Sequence, residues 1–224
     1  MSAANSLFVV AGVLPAPASY FDNPRAAIKL RNEAMSWIGT PFRPYYQNDL
    51  EAGRAELEKL GIDIKCLDIK GPGGGIDCVG LLSEIFYRIE ATPRWNFPRQ
   101  SADYQSHQTG DKILNWMRGK DDDPQSKLLA SLFTELAIPE IIKEREAETP
   151  RAFFKPGDIL ALRHGGLFHM PLIYDDDLHF ISSIPRHGVT EGTVQDSSYS
   201  IHLVAAFRLK PDGRHEQHAA AAIE

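Results

Sequence analysis

The order of hydrophobic periods in this 224-residue chain predicts an α+β fold. Apolar residues recur at helical spacing in the first two thirds, from Pro24 onward. From Phe153 the period changes to that of short strands separated by turn residues. A glycine-rich stretch, Gly71-Pro-Gly-Gly-Gly-Ile-Asp-Cys78, leads straight into one of the helices. The length suits one sizeable core, and no internal repeat is visible. One domain over residues 24–210 is expected, after an N-terminal segment 1–23 and before a flexible tail 211–224.

Ser6 to Ser19 holds a short apolar run and an Ala-Pro-Ala that resembles a cleavage region. No Lys or Arg precedes it and proline breaks it, so it reads as a strand rather than a signal peptide. Pro24 to Trp37 reads as a helix, with Pro24 suited to its first turn and Ala27, Ile28, Leu30, Ala34, Met35 and Trp37 apolar. The loop Gly39-Thr-Pro-Phe-Arg-Pro44 ends it. Glu51 to Leu60 forms a charged helix stopped by Gly61. The helix that starts at Cys78 buries Leu81, Leu82, Ile85, Phe86 and Ile89, and Asp77 is its N-cap.

Residues 91–150 form a loop and helix insertion. It contains a short helix at Lys112–Met117 and an acidic turn, Asp121-Asp-Asp-Pro124, read as a solvated helix start rather than a metal site. A helix over Ser126–Glu146 follows, with Leu128, Leu129, Leu132, Leu136 and Ile141 on one face and a break at Pro139. Lys155-Pro-Gly-Asp158 turns the chain into strands at Ile159–Leu162, Phe168–Tyr174, Leu178–Ile184, Gly188–Thr190 and Ile201–Leu209.

A net charge of −6 gives no electrostatic footprint for nucleic acid, and no run is long enough to span a bilayer. Cys66 and Cys78 make neither a disulfide framework nor a metal site, and no cofactor motif is present. Cys78 is placed for nucleophilic chemistry. A helix N-terminus favours thiolate over thiol, and its N–H groups can stabilise an oxyanion. The competing reading is a small apolar residue packed under a loop.

A cysteine nucleophile needs an imidazole within reach and a group to orient that imidazole. Of eight histidines, His164, His169, His179 and His187 lie in or beside the strands, and His169 opens an apolar strand after a Gly-Gly turn. Four histidines suggest zinc as well, but the spacing matches no zinc helix or Cys-x-x-Cys.

Four stretches then fall into order: Trp37-Ile-Gly-Thr-Pro-Phe42, Gly75-Ile-Asp-Cys-Val-Gly-Leu-Leu82, Lys155-Pro-Gly-Asp-Ile-Leu160 and Phe168-His-Met-Pro-Leu-Ile-Tyr174. Together they resemble the landmarks of the NlpC-type cysteine peptidases, and among these the phage-tail and prophage branch, which Val204-Ala-Ala-Phe-Arg208 also resembles. The resemblance covers residues 24–209. It implies a papain-like fold, with helices packed on an antiparallel meander, and hydrolysis of peptidoglycan stem peptides next to D-glutamate. It makes Cys78 the nucleophile and His169 the base, and puts Phe42, Gly75 and Asp77 beside the substrate. Phe42 stands where the family usually has tyrosine, and Pro171 replaces a glycine. The orienting position reads His179-Phe-Ile-Ser-Ser183 against the family's Phe-Ile-His-Ala, which leaves Ser182 or His179 for that role. The two point to opposite faces of a strand, so only one can serve. Two alternatives share these residues: an amidase or acyltransferase on another amide, and a phage-tail or cell-wall-binding component with impaired catalysis. Expected partners are a peptidoglycan peptide and phage-tail or cell-envelope proteins, without nucleic acid.

Overall fold

The computed structural model describes residues 17–42, 70, 75–95, 107–138, 153–164, 167–195 and 202–212. Residues 6–16 of the N-terminal strand expected over Ser6–Ser19, the helix Glu51–Leu60, Cys66 and the tail beyond Asp212 lie outside them; Pro17–Ser19 are not in a strand, because the Ser19 side chain caps a 3-10 helix over Tyr20–Asp22. Among the described residues, four α-helices and a seven-stranded antiparallel sheet make an α+β fold. The helices are α1 (Pro24–Met35), α2 (Cys78–Arg88), α3 (His107–Met117) and α4 (Pro124–Leu132). The strands are β1 (Phe133–Glu135), β2 (Ile159–His164), β3 (Leu167–His169), β4 (Leu172–Ile173), β5 (His179–Ile184), β6 (Gly188–Thr193) and β7 (Leu203–Leu209). Their order in the sheet is β1-β7-β2-β4-β5-β6, with β3 also on β2.

Local chemistry sets the helix starts. Asn23 accepts from the Arg25 N–H ahead of α1, and Pro24 occupies its first turn. Asp123 accepts from Gln125 and Ser126 ahead of α4. The third helix starts five residues earlier than its sequence pattern suggests, because Gly110 weakens the local signal. A tertiary contact explains that glycine: a Cβ there would lie 2.7 Å from the ring of Phe168.

The helix expected over Ser126–Glu146 ends at Leu132 instead. Phe133 turns to extended backbone, and Phe133–Glu135 pairs with β7 as an edge strand. Leu136 then donates its N–H to Ala206 and buries its side chain with Leu160 and Phe180. Its spacing from Leu132 fits a helix, but the open edge of β7 satisfies the backbone and wins. The expected strand Phe168–Tyr174 is cut into β3 and β4. Both halves keep one register on β2, with Leu162 opposite His169 and Ile159 opposite Leu172. Between them Pro171 accepts from the Leu160 N–H but has no N–H to return, so one rung is missing.

Alternation along the strands gives the sheet two apolar faces. Ile159, Ala161, Met170, Leu172, Ile181, Ala205 and Phe207 pack against the helices in one cluster. Leu160, Leu162, Ile173, Phe180 and Ala206 form the other with Leu136, Phe153 and Phe154. No helix among the described residues is long and apolar enough to cross a membrane.

Candidate active site

Cys78 opens α2, as its sequence setting predicts, and is buried and not in a disulfide. Asp77 is the N-cap, its Oδ1 accepting from the Gly80 N–H at 2.8 Å. The N-terminus of a helix favours thiolate over thiol.

The approach to Cys78 is fixed by the loop that follows α1. Ile76 donates its N–H to Pro41 at 3.0 Å and forms a parallel bridge with Phe42. That loop is itself docked on β6: Gly39 donates to Val189 at 3.0 Å, and Val189 donates to Thr40 at 2.7 Å. Gly188 permits the docking, since its φ is +74° and a Cβ would meet the Thr40 carbonyl at 2.4 Å. From the sheet, the Ser183 hydroxyl donates to the Ile76 carbonyl at 2.6 Å. The Gly-Thr-Pro-Phe and Ile-Asp-Cys stretches, 34 residues apart, thus meet backbone to backbone, with Phe42, Gly75 and Asp77 all beside Cys78 in the chain or across this bridge.

His169 ends β3. Its neighbours Phe168 and Met170 pack toward the helices, so alternation turns His169 to the face of Leu162, its partner on β2. Its Nε2 is enclosed and has no hydrogen-bond partner. Burial alone lowers the imidazole pKa to about 4, so the ring is neutral at pH 7.

The two candidates for the orienting role have different surroundings. His179 is half-exposed, with Nδ1 2.8 Å from Asp175 Oδ2 and its ring stacked on Tyr174. The Asp175 contact raises its pKa. Tyr174 in turn donates to Glu191 at 2.6 Å. His179 is committed to this surface cluster. Ser182 is fully buried, and its Oγ has no hydrogen-bond partner. The β4–β5 register sets Leu172 opposite Ile181 and Ile173 opposite Phe180, and alternation puts Ser182 on the face of Phe180. Ser182 and His169 therefore lie on the same face of the sheet.

The Pro-Gly-Asp stretch belongs to the scaffold. Asp158 takes a bidentate pair from Arg208, at 2.8 Å from Nε and 2.6 Å from Nη2, and accepts from the Lys155 N–H. Burial pushes its pKa up, and the guanidinium pulls it back. Arg208 also donates to the carbonyls of Pro17 and Phe153. Two of the resembling stretches are therefore one buried ion pair between β2 and β7. Sequence reading missed Ser183 and Thr40 as supports of the Cys78 approach, because a lone hydroxyl or carbonyl carries no periodic signal. Among the described residues no cluster of His, Cys, Asp and Glu is arranged to hold a metal ion. No protein-family model and no curated protein matches the chain.

Proposed function

We propose that this protein is a papain-like cysteine hydrolase acting on peptidoglycan stem peptides, at the bond between γ-D-glutamate and the diamino acid. The observation that carries the reading is Cys78 at the start of α2, on an approach held by Pro41, Phe42 and Ser183. Rigid presentation of a nucleophile beside helix N–H groups is what acyl transfer requires.

In this mechanism His169, neutral at pH 7, takes the thiol proton as Cys78 attacks the carbonyl carbon. The N–H groups at the start of α2 stabilise the oxyanion. The imidazolium then protonates the leaving amine, and the C–N bond breaks to give a thioester. Water, deprotonated by His169, hydrolyses the thioester and regenerates the thiol. Ser182 is the orienting residue in this scheme, since His179 is held by Asp175. In the described register His169 and Ser182 share the face of Leu162 and Phe180, and the mechanism needs this pair to approach Cys78 together.

One observation favours a second reading, a cell-wall or phage-tail binding component with impaired catalysis: the Nε2 of His169 is enclosed and has no hydrogen-bond partner. Muropeptide hydrolysis by the native chain and by Cys78→Ala separates the two. Release of the diamino acid fragment that Cys78→Ala abolishes supports the hydrolase. No turnover by either protein, with retained binding to wall fragments, supports the second reading. Turnover of other acyl amides without muropeptides identifies an amidase or acyltransferase.

A further inference from the structure

We propose that Ser183 is a positioning residue for Cys78, its hydroxyl closing a ring of hydrogen bonds through which the β5–β6 hairpin holds the entry to α2. Its effect on turnover rests on the hydrolase reading; its structural effect does not. Ser183 and Val189 lie directly opposite each other on the two strands. Val189 holds the loop after α1, accepting from Gly39 and donating to Thr40. The next residue of that loop, Pro41, accepts from the Ile76 N–H. Ser183 brings the contacts back to the same residue, donating to the Ile76 carbonyl at 2.6 Å. Ile76 is thus held on both sides, its N–H by the loop and its carbonyl by the hairpin.

Ser183 and Ile76 are both buried. A buried carbonyl without a donor costs free energy, so loss of the hydroxyl drives the Ile76 carbonyl to turn toward another partner or water. The peptide unit is planar, and that carbonyl cannot turn without carrying the Asp77 nitrogen with it. Asp77 caps α2 through its bond to the Gly80 N–H, and Cys78 is the next residue. A displacement at Ile76 therefore reaches the nucleophile within two residues, and acyl transfer is sensitive to shifts of about 1 Å. The neighbouring Ser182 faces the other side of the sheet, so it cannot replace this contact.

The test compares Ser183→Ala, Ser183→Thr and Ser126→Ala. Ser126 supplies a buried hydroxyl of the same kind, donating from α4 to the Trp116 carbonyl of α3 at 2.8 Å, outside the ring. Two readouts are needed: amide exchange at Ile76 and Gly80, and kcat against KM on muropeptide. Ser183→Ala is expected to speed exchange at both amides and lower kcat, each by about tenfold, with KM unchanged. Ser126→Ala should leave both readouts as they are in the native chain. Ser183→Thr keeps the hydroxyl on a strand that accepts β-branching, and should restore both. Unchanged exchange at Ile76 and Gly80 in Ser183→Ala, an equal loss of kcat in Ser126→Ala, or no restoration by Ser183→Thr overturns the proposal. If Cys78→Ala shows that no hydrolysis occurs through this thiol, the hydrolase reading fails, and exchange at the two amides still decides whether Ser183 holds the entry to α2.

Discussion

The charge state of His169 decides whether the described arrangement is the working one, and its pH linkage makes that measurable. In the fold its pKa is lowered from the ordinary 6.5 to about 4 by burial. Between those values the unfolded chain binds a proton that the folded chain refuses, so stability rises with pH across that window and is lost as pH falls. At about 1.4 kcal/mol per pH unit the full difference is roughly 3 kcal/mol. That is an upper bound, because the ring is only partly buried although Nε2 is enclosed. The perturbation is His169→Met, which keeps bulk and removes the titration. Urea denaturation at pH 7 and pH 4.5 should show the native chain losing about 2–3 kcal/mol more than the variant. Carboxylates, and His179 with its raised pKa, titrate in both proteins and cancel in the comparison. A thiolate beside His169 would raise its pKa instead, so its contribution would be lost on going up in pH through the raised value. Equal pH dependence in the two proteins, or the opposite sign, would refute the buried neutral imidazole.

Other expectations are simpler. Arg208→Met leaves Asp158 buried without its bidentate partner and should cost about 3–5 kcal/mol, lowering Tm by roughly 6–20 °C in calorimetry; a loss under about 1 kcal/mol would show the pair to be dispensable. Gly188→Ala puts a side chain at φ +74° and against the Thr40 carbonyl, and should cost about 2 kcal/mol or more by chemical denaturation while slowing alkylation of Cys78. Ser182→Ala removes a buried hydroxyl that has no partner, so stability should hold or rise by about 1 kcal/mol while muropeptide turnover falls. His179→Ala should leave turnover unchanged, and a loss there comparable to that of Ser182→Ala would return the orienting role to His179.

Much of the scaffold was written in local chemistry. Asn23-Pro24, Asp77-Cys78 and Asp123-Pro124 each carry a cap and a first-turn residue, and each starts a helix. The alternating runs from Ile159 to Leu209 each make strands, because a period of two leaves only one way to bury an apolar face. The failures share a cause. Leu136 has helical spacing from Leu132, yet it joins the sheet side because an unpaired edge of β7 lies there. Gly110 reads as a helix breaker, and only the ring of Phe168 shows why a glycine sits inside α3.

The sequence by itself determined which residues cap, which turn and which alternate, and it singled out Cys78, because these depend on neighbours a few positions away. Only the tertiary structure decided what each polar group meets. It sent His179 to Asp175 and enclosed Ser182, and it made the Pro-Gly-Asp stretch half of a buried ion pair with Arg208. It also set the face on which His169 lies, through a strand register that one residue would reverse. Hydrogen-bond partners and strand faces depend on segments as far as 191 residues apart, such as Arg208 and Pro17, and no local pattern encodes that meeting.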